Sequence, residues 1–229
     1  MKVNVVESVL KANDAIAGLN RRRLNEAGLT AFNLMSGPGS GKTTLLEKTI
    51  PLLGPDLPAA VLVGDLQTTR DAERVARVAA EATQINTGTG CHLTATQVAE
   101  GLEGLNLREL GVLFVENVGN MVCPAGFDLG EHRRVILLST PEGDDKVAKY
   151  PTLFQQADIV LLTKVDLLGV LEFDVGRVRD DLSRIKTSAP LLQISAKTGQ
   201  GMDQWVAWLR EQITANAKPQ AMGSAPARR

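Results

Sequence analysis

The sequence predicts an α/β protein with a mostly parallel sheet covered by helices, and two observations support this fold class. Short apolar runs alternate with longer helical or loop segments, and apolar runs between turn residues are typical of strands buried on both faces. Six such runs are expected to form strands, at residues 32–35, 59–63, 111–115, 135–138, 159–162 and 191–194. The first run also leads into a glycine-rich loop and a helix, which is the arrangement of a P-loop NTPase.

Composition is that of an ordinary globular chain and excludes several function classes. The 229 residues are 44% hydrophobic and 22% charged, which suits one large domain or at most two small ones. A net charge of −1 and 3% aromatic residues argue against nucleic acid and anionic membrane surfaces as partners. No apolar run approaches the roughly 20 residues of a membrane span, and the N-terminal segment is amphipathic, not signal-like. With two cysteines, we expect a reducing, cytoplasmic location.

Three segments are expected along the chain. Residues 1–30 are predicted as an N-terminal helix packed on the core, 31–214 as the P-loop domain and 215–229, rich in Ala, Pro and Gly, as a disordered tail. The helix is predicted to end in a solvated basic cluster, and not in a ligand clamp, at Arg21, Arg22 and Arg23. Its apolar face is expected to carry Val5, Val6, Val9, Leu10, Ile16 and Leu19.

Residues 36–43, with the sequence SGPGSGKT, predict a phosphate-binding loop. Its glycines let the backbone approach closely, so that N–H groups and the N-terminus of the following helix face the β-phosphate. Lys42 is expected to reach the β- and γ-phosphate oxygens, and the Thr43 hydroxyl to occupy one Mg²⁺ position. Ser36 stands where this loop usually begins with glycine.

Two later motifs indicate guanine. Asp166, in the sequence TKVD after an apolar strand, is placed to accept hydrogen bonds from N1–H and the exocyclic amine of guanine, a donor pair that adenine lacks. Lys164 would pack its stem over the ring, and the backbone N–H of Ala196, in ISAKTG, would meet the guanine carbonyl. Thr163 replaces the asparagine that is usual in GTPases. The order of these motifs behind a phosphate loop predicts a GTP site.

Two further strand ends supply catalytic candidates. Asp65 ends one strand, where a magnesium-shell or water-orienting carboxylate is expected, and Glu116 ends another, with the Gly119 N–H placed to sense a γ-phosphate. Asp71 lies in an expected switch region but is interpreted first as a helix-capping carboxylate. The catalytic candidates are Lys42, Asp65 and Glu116. The nucleotide is expected to contact Gly37, Gly39, Ser40, Gly41, Lys42, Thr43, Thr44, Gly119, Lys164, Asp166, Ser195, Ala196 and Lys197.

Both cysteines lie among these motifs. Cys91 and His92 come after a short strand that ends near residue 86, and Cys123 comes after the expected γ-phosphate sensor. Thiolate and imidazole suit Ni²⁺ or Zn²⁺, and two symmetry-related copies would supply six donors at a twofold interface. With 31 residues between the cysteines, however, the residues alone favour inert buried thiols beside an incidental histidine. His132 is predicted to be a surface residue.

The full motif set resembles the HypB family, GTPases that help insert nickel into [NiFe]-hydrogenase. The resemblance covers residues 3–209 and rests on SGPGSGKTTLLE, GDLQTTRDAERV, INTGTGCHL, ENVGNMVCPAGFDLGE, STPEGDDKVAKYP, TKVDLL and SAKTGQGMDQW. It implies a P-loop GTPase of the signal-recognition/MinD-like (SIMIBI) class that hydrolyses GTP slowly with Mg²⁺. It also implies a homodimer that depends on GTP and metal, with HypA and the hydrogenase large subunit as partners. The family's nickel or zinc ligands correspond to Cys91, His92 and Cys123.

The sequence departs from the family in three places and leaves three alternatives open. It lacks the N-terminal cysteine cluster and the histidine-rich stretch of some members, and Thr94 replaces an acidic residue after Cys-His-Leu. A modest, dimer-dependent metal site is therefore expected, and a storage role is not. The alternatives are a urease-type nickel-insertion GTPase (which would carry Cys-Pro-His), a small P-loop kinase, and a non-enzymatic scaffold in which GTP only sets the oligomeric state.

Overall fold

In the computed structural model, which describes residues 5–65 and 69–217, seven parallel strands form one sheet in the order β3-β2-β4-β1-β5-β6-β7. The side chains are described from Leu10 onward. The predicted parallel α/β fold is therefore confirmed, and each of the six expected runs lies in a strand or overlaps one. The strands are β1 Thr30–Ser36, β2 Ala59–Asp65, β3 Glu81–Asn86, β4 Val112–Glu116, β5 Arg133–Ser139, β6 Ile159–Thr163 and β7 Leu191–Gln193.

Strand β3 is the element that the apolar runs did not include. It lies at the edge of the sheet, paired only with β2 among the described strands, and of its six residues only Ile85 is buried. Its sequence, EATQIN, mixes polar and apolar residues because an edge strand need not be buried on both faces. It is the short strand expected ahead of Cys91.

Helices cover both faces of the sheet. Phe32 and Leu34 point to one face, covered by α2, α3 and α8, while Ala31 and Met35 point to the other, covered by α1, α4 and the helices α5 to α7. The helices are α1 Val5–Glu26, α2 Lys42–Leu53, α3 Arg70–Val75, α4 Ala95–Glu103, α5 Lys146–Lys149, α6 Pro151–Gln155, α7 Val175–Arg184 and α8 Met202–Ala217. Among the described residues, no helix is long and apolar enough to cross a membrane.

Helix α1 forms as predicted, but the prediction of its buried face was wrong. Leu19 is 55% exposed, whereas Asn13, Ala17, Asn20 and Leu24 are buried. The buried face is partly polar because α1 packs on loop backbone as well as on apolar side chains, and buried backbone groups need hydrogen-bonding partners. The side chains of Val5, Val6 and Val9 lie outside the described residues.

The basic end of α1 is also not simply solvated. Arg21 Nη2 lies 2.7 Å from Asp128 Oδ1 and 2.8 Å from Asp128 Oδ2, and Arg23 Nη2 donates to Leu102 O at 3.0 Å. Only Arg22 of the three is exposed. The prediction was wrong because these partners lie about 80 to 107 residues further along the chain, where no local pattern reveals them.

His132 is half-buried, so the predicted surface position was wrong. Its Nδ1 accepts a hydrogen bond from the Ala31 N–H at 2.9 Å, and its Nε2 lies 2.9 Å from Asn25 Oδ1. With Nδ1 as acceptor, Nε2 carries the proton of a neutral ring. Burial, followed by the positive charges of Arg21 and Arg133, lowers the pKa of His132 to about 4. The imidazole joins α1 to the sheet in its neutral form.

The low pKa of His132 predicts a pH-dependent loss of stability. Because the folded-state pKa lies below the ordinary value of 6.5, the unfolded chain binds the proton first as pH falls. Stability from the neutral ring is present above pH 6.5 and is lost as pH falls toward 4, by about 2–3 kcal/mol. In urea unfolding at several pH values, His132→Gln is expected to show a correspondingly smaller loss over this window. Parallel curves for both proteins would contradict this assignment.

The first three residues of the predicted tail are helical. Helix α8 continues to Ala217, and Asn216 Nδ2 donates to Thr30 Oγ1 at 3.2 Å. Residues 215–217 are thus helical, because Asn216 gains a partner at the start of β1. Residues 218–229, the rest of the predicted tail, lie outside the described residues.

Candidate nucleotide and metal site

The phosphate loop lies at the carboxyl end of the central strand β1, the edge where parallel α/β sheets bind ligands. Gly39 and Gly41 have φ values of 74° and 97°, a left-handed conformation that other residues rarely adopt. Gly41 is also the residue before the first turn of α2, so the free N–H groups of that helix face the loop. The predicted strand–loop–helix arrangement is therefore present.

Lys42 is buried beneath this loop. Its Nζ donates to Ser36 Oγ at 3.0 Å, so the residue that departs from the usual glycine holds the lysine in place. Burial lowers the pKa of Lys42, while the carboxylates of Glu116, Asp71 and Glu142 act in the opposite direction. These carboxylates offset the burial of the ammonium only in part. A phosphate group bound here would supply further counter-charge.

Glu116 is the carboxylate that contacts Thr43. Thr43 Oγ1 donates to Glu116 Oε1 at 2.7 Å, and Glu116 Oε2 is buried without a hydrogen-bond partner in the described part of the chain. Burial raises the pKa of Glu116 to about 7, although Lys42 and Thr43 oppose the shift. An orphaned carboxylate oxygen beside a threonine hydroxyl is a donor set that fits Mg²⁺.

Asp65 and Asp71 lie in different elements, at the end of β2 and in α3. Asp65 ends β2 half-buried, with its backbone oxygen accepting from Thr87 N at 3.0 Å. Asp71 lies in the first turn of α3, pairs with Arg74 at 3.4 Å and lines the phosphate cavity. It is thus part of the site as well as of a helix start. A role for Asp65 in magnesium binding or water orientation stays a prediction.

The base site is a cavity of about 250 Å³ beside a phosphate cavity of about 280 Å³. Both cavities are lined by Gly41, Thr44 and Lys164, so they adjoin, and together they make up the candidate nucleotide groove. Asp166 lines the base cavity and accepts from Ser195 Oγ at 2.6 Å, which fixes the orientation of the carboxylate. Ala196 and Lys197 line the same cavity, so the two base motifs predicted from sequence meet.

Lys164 and Thr163 connect the base site to the phosphate loop. Lys164 Nζ donates to Gly39 O at 2.7 Å, and Thr163 Oγ1 donates to Ser40 O at 2.8 Å. Thr163 therefore ties the loop to β6 with its own hydroxyl. The departure from asparagine at this position leaves a side-chain hydrogen bond between the two segments.

Gly119 packs directly on the phosphate loop. A Cβ added at Gly119 would lie 2.8 Å from Pro38 Cα, so only glycine allows this approach. The segment that follows β4 is thus in contact with the loop that would hold the β- and γ-phosphates. This position suits the predicted γ-phosphate sensor.

Cys91, His92 and Cys123 converge, with their donor atoms all within 4.8 Å of one another. Cys91 Sγ lies 3.5 Å from His92 Nδ1, and Asn120 Nδ2 lies 3.5 Å from Cys123 Sγ. The His92 ring packs on Phe127 with centroids 3.9 Å apart. All three candidate ligands are half-buried. Such convergence of residues far apart in sequence does not fit the interpretation as unrelated inert thiols.

Sequence reasoning missed three polar residues of the site. Asn117 Oδ1 accepts from the backbone N–H of Leu93 at 3.1 Å and of Val118 at 3.0 Å. Glu142 accepts from Ser40 Oγ at 2.8 Å and from Ser139, while Arg74 Nη2 donates to Thr44 Oγ1 at 2.9 Å. The capping pattern Ser-x-x-Glu at 139–142 was a usable signal for Glu142. The other two bonds depend on tertiary packing.

Comparison with known proteins decides the family. The model of the CobW/HypB/UreG nucleotide-binding domain matches residues 30–193. The hydrogenase maturation factor HypB of Azotobacter chroococcum is 48% identical over 210 residues, which are 92% of this chain and 69% of that protein. The chain belongs to the HypB family. The crystal structure of HypB from Helicobacter pylori in complex with nickel has a TM-score of 0.86 at 39% identity, over 93% of this chain and 100% of that chain.

The wider fold class is confirmed by a more distant structure. The signal recognition particle 54 kDa protein from Aeropyrum pernix, in complex with GDP, has a TM-score of 0.53 at 15% identity, over 82% of this chain and 48% of that one. At this identity the likeness concerns the fold alone. The HypB family chain therefore has the P-loop architecture of the signal-recognition class, as the sequence resemblance implied.

Proposed function

We propose that this chain is a GTP-hydrolysing switch that delivers nickel during [NiFe]-hydrogenase maturation. The hydrogen bond from Leu93 N to Asn117 Oδ1 carries the proposal. Asn117 lies between Glu116 and Gly119, in the segment facing the γ-phosphate position, and Leu93 directly follows His92. If the segment that contains Asn117 moves when the γ-phosphate is gained or lost, the movement would be passed to Leu93 and so to its neighbour His92, a proposed metal ligand.

A sequence spacing and a further contact support the same coupling. Cys123 lies four residues beyond Gly119, so the second part of the metal site continues the γ-phosphate segment. Gly64 packs on the Leu93 side chain, where an added Cβ would lie 2.8 Å from Leu93 Cγ, and the next residue is Asp65. Both parts of the metal site are thus attached to strand ends that face the nucleotide.

The residues of the groove fit GTP hydrolysis. Lys42 and the loop N–H groups would hold the β- and γ-phosphates, and the Gly119 N–H would add a donor at the γ-phosphate. Thr43 and Glu116 would hold Mg²⁺, with Asp65 as a further candidate, and this ion neutralises charge that develops on the phosphate oxygens. Asp166 and Ala196 would select guanine.

A homodimer would complete the metal site. Nickel and zinc take at least four ligands, and the described part of one chain brings three candidate ligands together. Val122, beside Cys123, is 64% exposed, so an apolar side chain borders the ligands on the protein surface. A twofold axis at this surface would bring two sets of ligands together. HypA and the hydrogenase large subunit are the family partners proposed to exchange nickel with this cytoplasmic dimer.

Replacing Asp166 with alanine is expected to lower GDP affinity by about 10²–10⁴-fold without changing the affinity for ADP. The reason is that the carboxylate would make two charged hydrogen bonds to guanine, each worth about 1.5–3 kcal/mol. Fluorescence titration with labelled GDP and ADP measures both constants. Asp180→Ala, at an exposed position of α7, is the matched control. Unchanged GDP binding in Asp166→Ala would remove this residue from the base site.

The experiment that tests the proposed function measures phosphate release, nickel release to a chelator and molecular mass in the same samples. The proposal requires that nickel-loaded dimer consume GTP and release nickel as the mass falls. A comparison at equal dimer fraction, with GTP and with a non-hydrolysable analogue, separates this mechanism from a scaffold. If GTP is never hydrolysed and only the mass changes, the scaffold alternative replaces the switch.

A further inference from the structure

We propose that helix α1 positions the metal ligands, through two buried asparagines, Asn13 and Asn20. The inference rests on the proposed metal site and adds the residues that set its geometry. For this purpose the metal site has two legs: the Cys-His leg, residues 91–95, and the Cys leg, residues 123–130. Each asparagine of α1 holds both legs.

Asn13 joins the two legs with the two ends of its amide. Its Oδ1 accepts from Ala95 N at 2.9 Å, and its Nδ2 donates to Asp128 O at 2.7 Å. The side chain is 7% exposed, so water does not readily replace these bonds. One rigid, planar amide therefore fixes the spacing between a residue three positions after His92 and a residue five positions after Cys123.

Asn20 repeats the arrangement two turns later on the same face of α1. Its Nδ2 donates to Ala95 O at 2.8 Å and to Leu129 O at 3.0 Å, and the side chain is 3% exposed. Residues seven apart lie on the same side of a helix. The N–H and the C=O of Ala95 are thus both held by α1, and the Cys leg is held at two consecutive residues.

Gly130 and Asp128 also hold the Cys leg against α1, close to Asn20. Gly130 has a φ of 93°, and an added Cβ would lie 2.6 Å from Asn20 Cβ and 2.7 Å from Ala17 O. Arg21 pairs with the Asp128 carboxylate at 2.7 Å. The close approach and the ion pair keep the Cys leg in the register that Asn13 and Asn20 require.

This arrangement has a consequence for metal binding. Ligands that are held in place before the ion arrives bind it more tightly, because little ordering remains to be done on binding. Loss of the asparagine bonds would let the two legs move apart while leaving unchanged the base cavity, which is lined by residues that follow β1, β6 and β7. A displacement of α1 would likewise let the two legs move apart and would lower the affinity for nickel.

The test uses the full-length chain and NiCl₂, with Asn13→Ala and Asn20→Ala as variants. We expect each variant to lower nickel affinity at least 10-fold and to weaken the thiolate-to-nickel absorbance at saturation, with GDP affinity unchanged. Arg23→Ala is the matched control, because it removes a bond from α1 to Leu102 O at the far end of α4. It should destabilise the helix contact without changing nickel affinity.

Each result decides between the two proposals. Wild-type nickel affinity in both asparagine variants would overturn the positioning role, and so would an equal loss of nickel and GDP affinity, which indicates general unfolding. If one variant does not fold, the other provides the same readout, since each asparagine contacts both legs. Failure of the wild-type protein to bind nickel would instead overturn the proposed function.

Discussion

Replacing Lys42 with alanine is expected to reduce GTP hydrolysis by about 10²–10³-fold or more and to leave the fold intact. The buried ammonium is the positive charge beneath the phosphate loop, and one preorganised donor to a developing charge is typically worth this factor. Its removal also takes away the positive charge that lowers the pKa of Glu116, so this buried carboxyl group is expected to bind a proton more readily. Phosphate release under saturating GTP, with circular dichroism as a check of the fold, measures the effect.

Lys48 provides the control for this experiment. It lies on the same helix, α2, but its side chain is exposed. Lys48→Ala therefore removes the same charge and the same side-chain volume without touching the phosphate loop, and turnover should stay within about twofold of the wild type. Normal turnover in Lys42→Ala would refute the assignment of the nucleotide site.

Replacing Cys123 with alanine is expected to lower nickel affinity by at least about 10²-fold. Cys123 is one of three converging donors, and the remaining Cys91 and His92 are adjacent residues of a single loop. The GTP-dependent gain in nickel affinity and dimer fraction should disappear with it. Nickel titration followed by thiolate absorbance, together with light scattering, measures both effects.

The histidines supply a matched pair for the same assay. The chain has two, of which His92 is one of the three candidate metal ligands and His132 lies between α1 and the sheet. His92→Ala should lose nickel binding as Cys123→Ala does, whereas His132→Gln should retain it at neutral pH. Equal nickel affinity in Cys123→Ala and the wild type would show that these thiols are not the ligands.

The parts of the site that follow from local sequence could be predicted. The phosphate loop combines glycines, Lys42 and Thr43 within eight residues, and Asp166 lies three residues after the end of β6. Strands with continuous apolar runs were recognised because burial on both faces leaves a clear pattern. The family resemblance predicted Cys91, His92 and Cys123 as metal ligands, and the structure brings these three side chains together.

The parts that depend on tertiary partners could not be predicted. Asn13 and Asn20 occupy positions of α1 where a periodic pattern would place apolar residues. They are nevertheless buried, because they bond to backbone groups of Ala95 at the start of α4 and of residues 128 and 129. Arg21 and His132 were assigned to the surface for the same reason. Hydrogen bonds between residues about 75 to 115 positions apart leave no local signal.

The nucleotide state of this HypB family protein is proposed to change its metal site. The most direct test is a nickel titration of the metal-free protein, once with GDP and once with a non-hydrolysable GTP analogue, with mass measured on the same samples. The proposed coupling predicts at least about 10-fold tighter nickel binding and a larger dimer fraction with the analogue, a coupling free energy of about 1.4 kcal/mol or more. Identical nickel affinity in the two nucleotide states would contradict it.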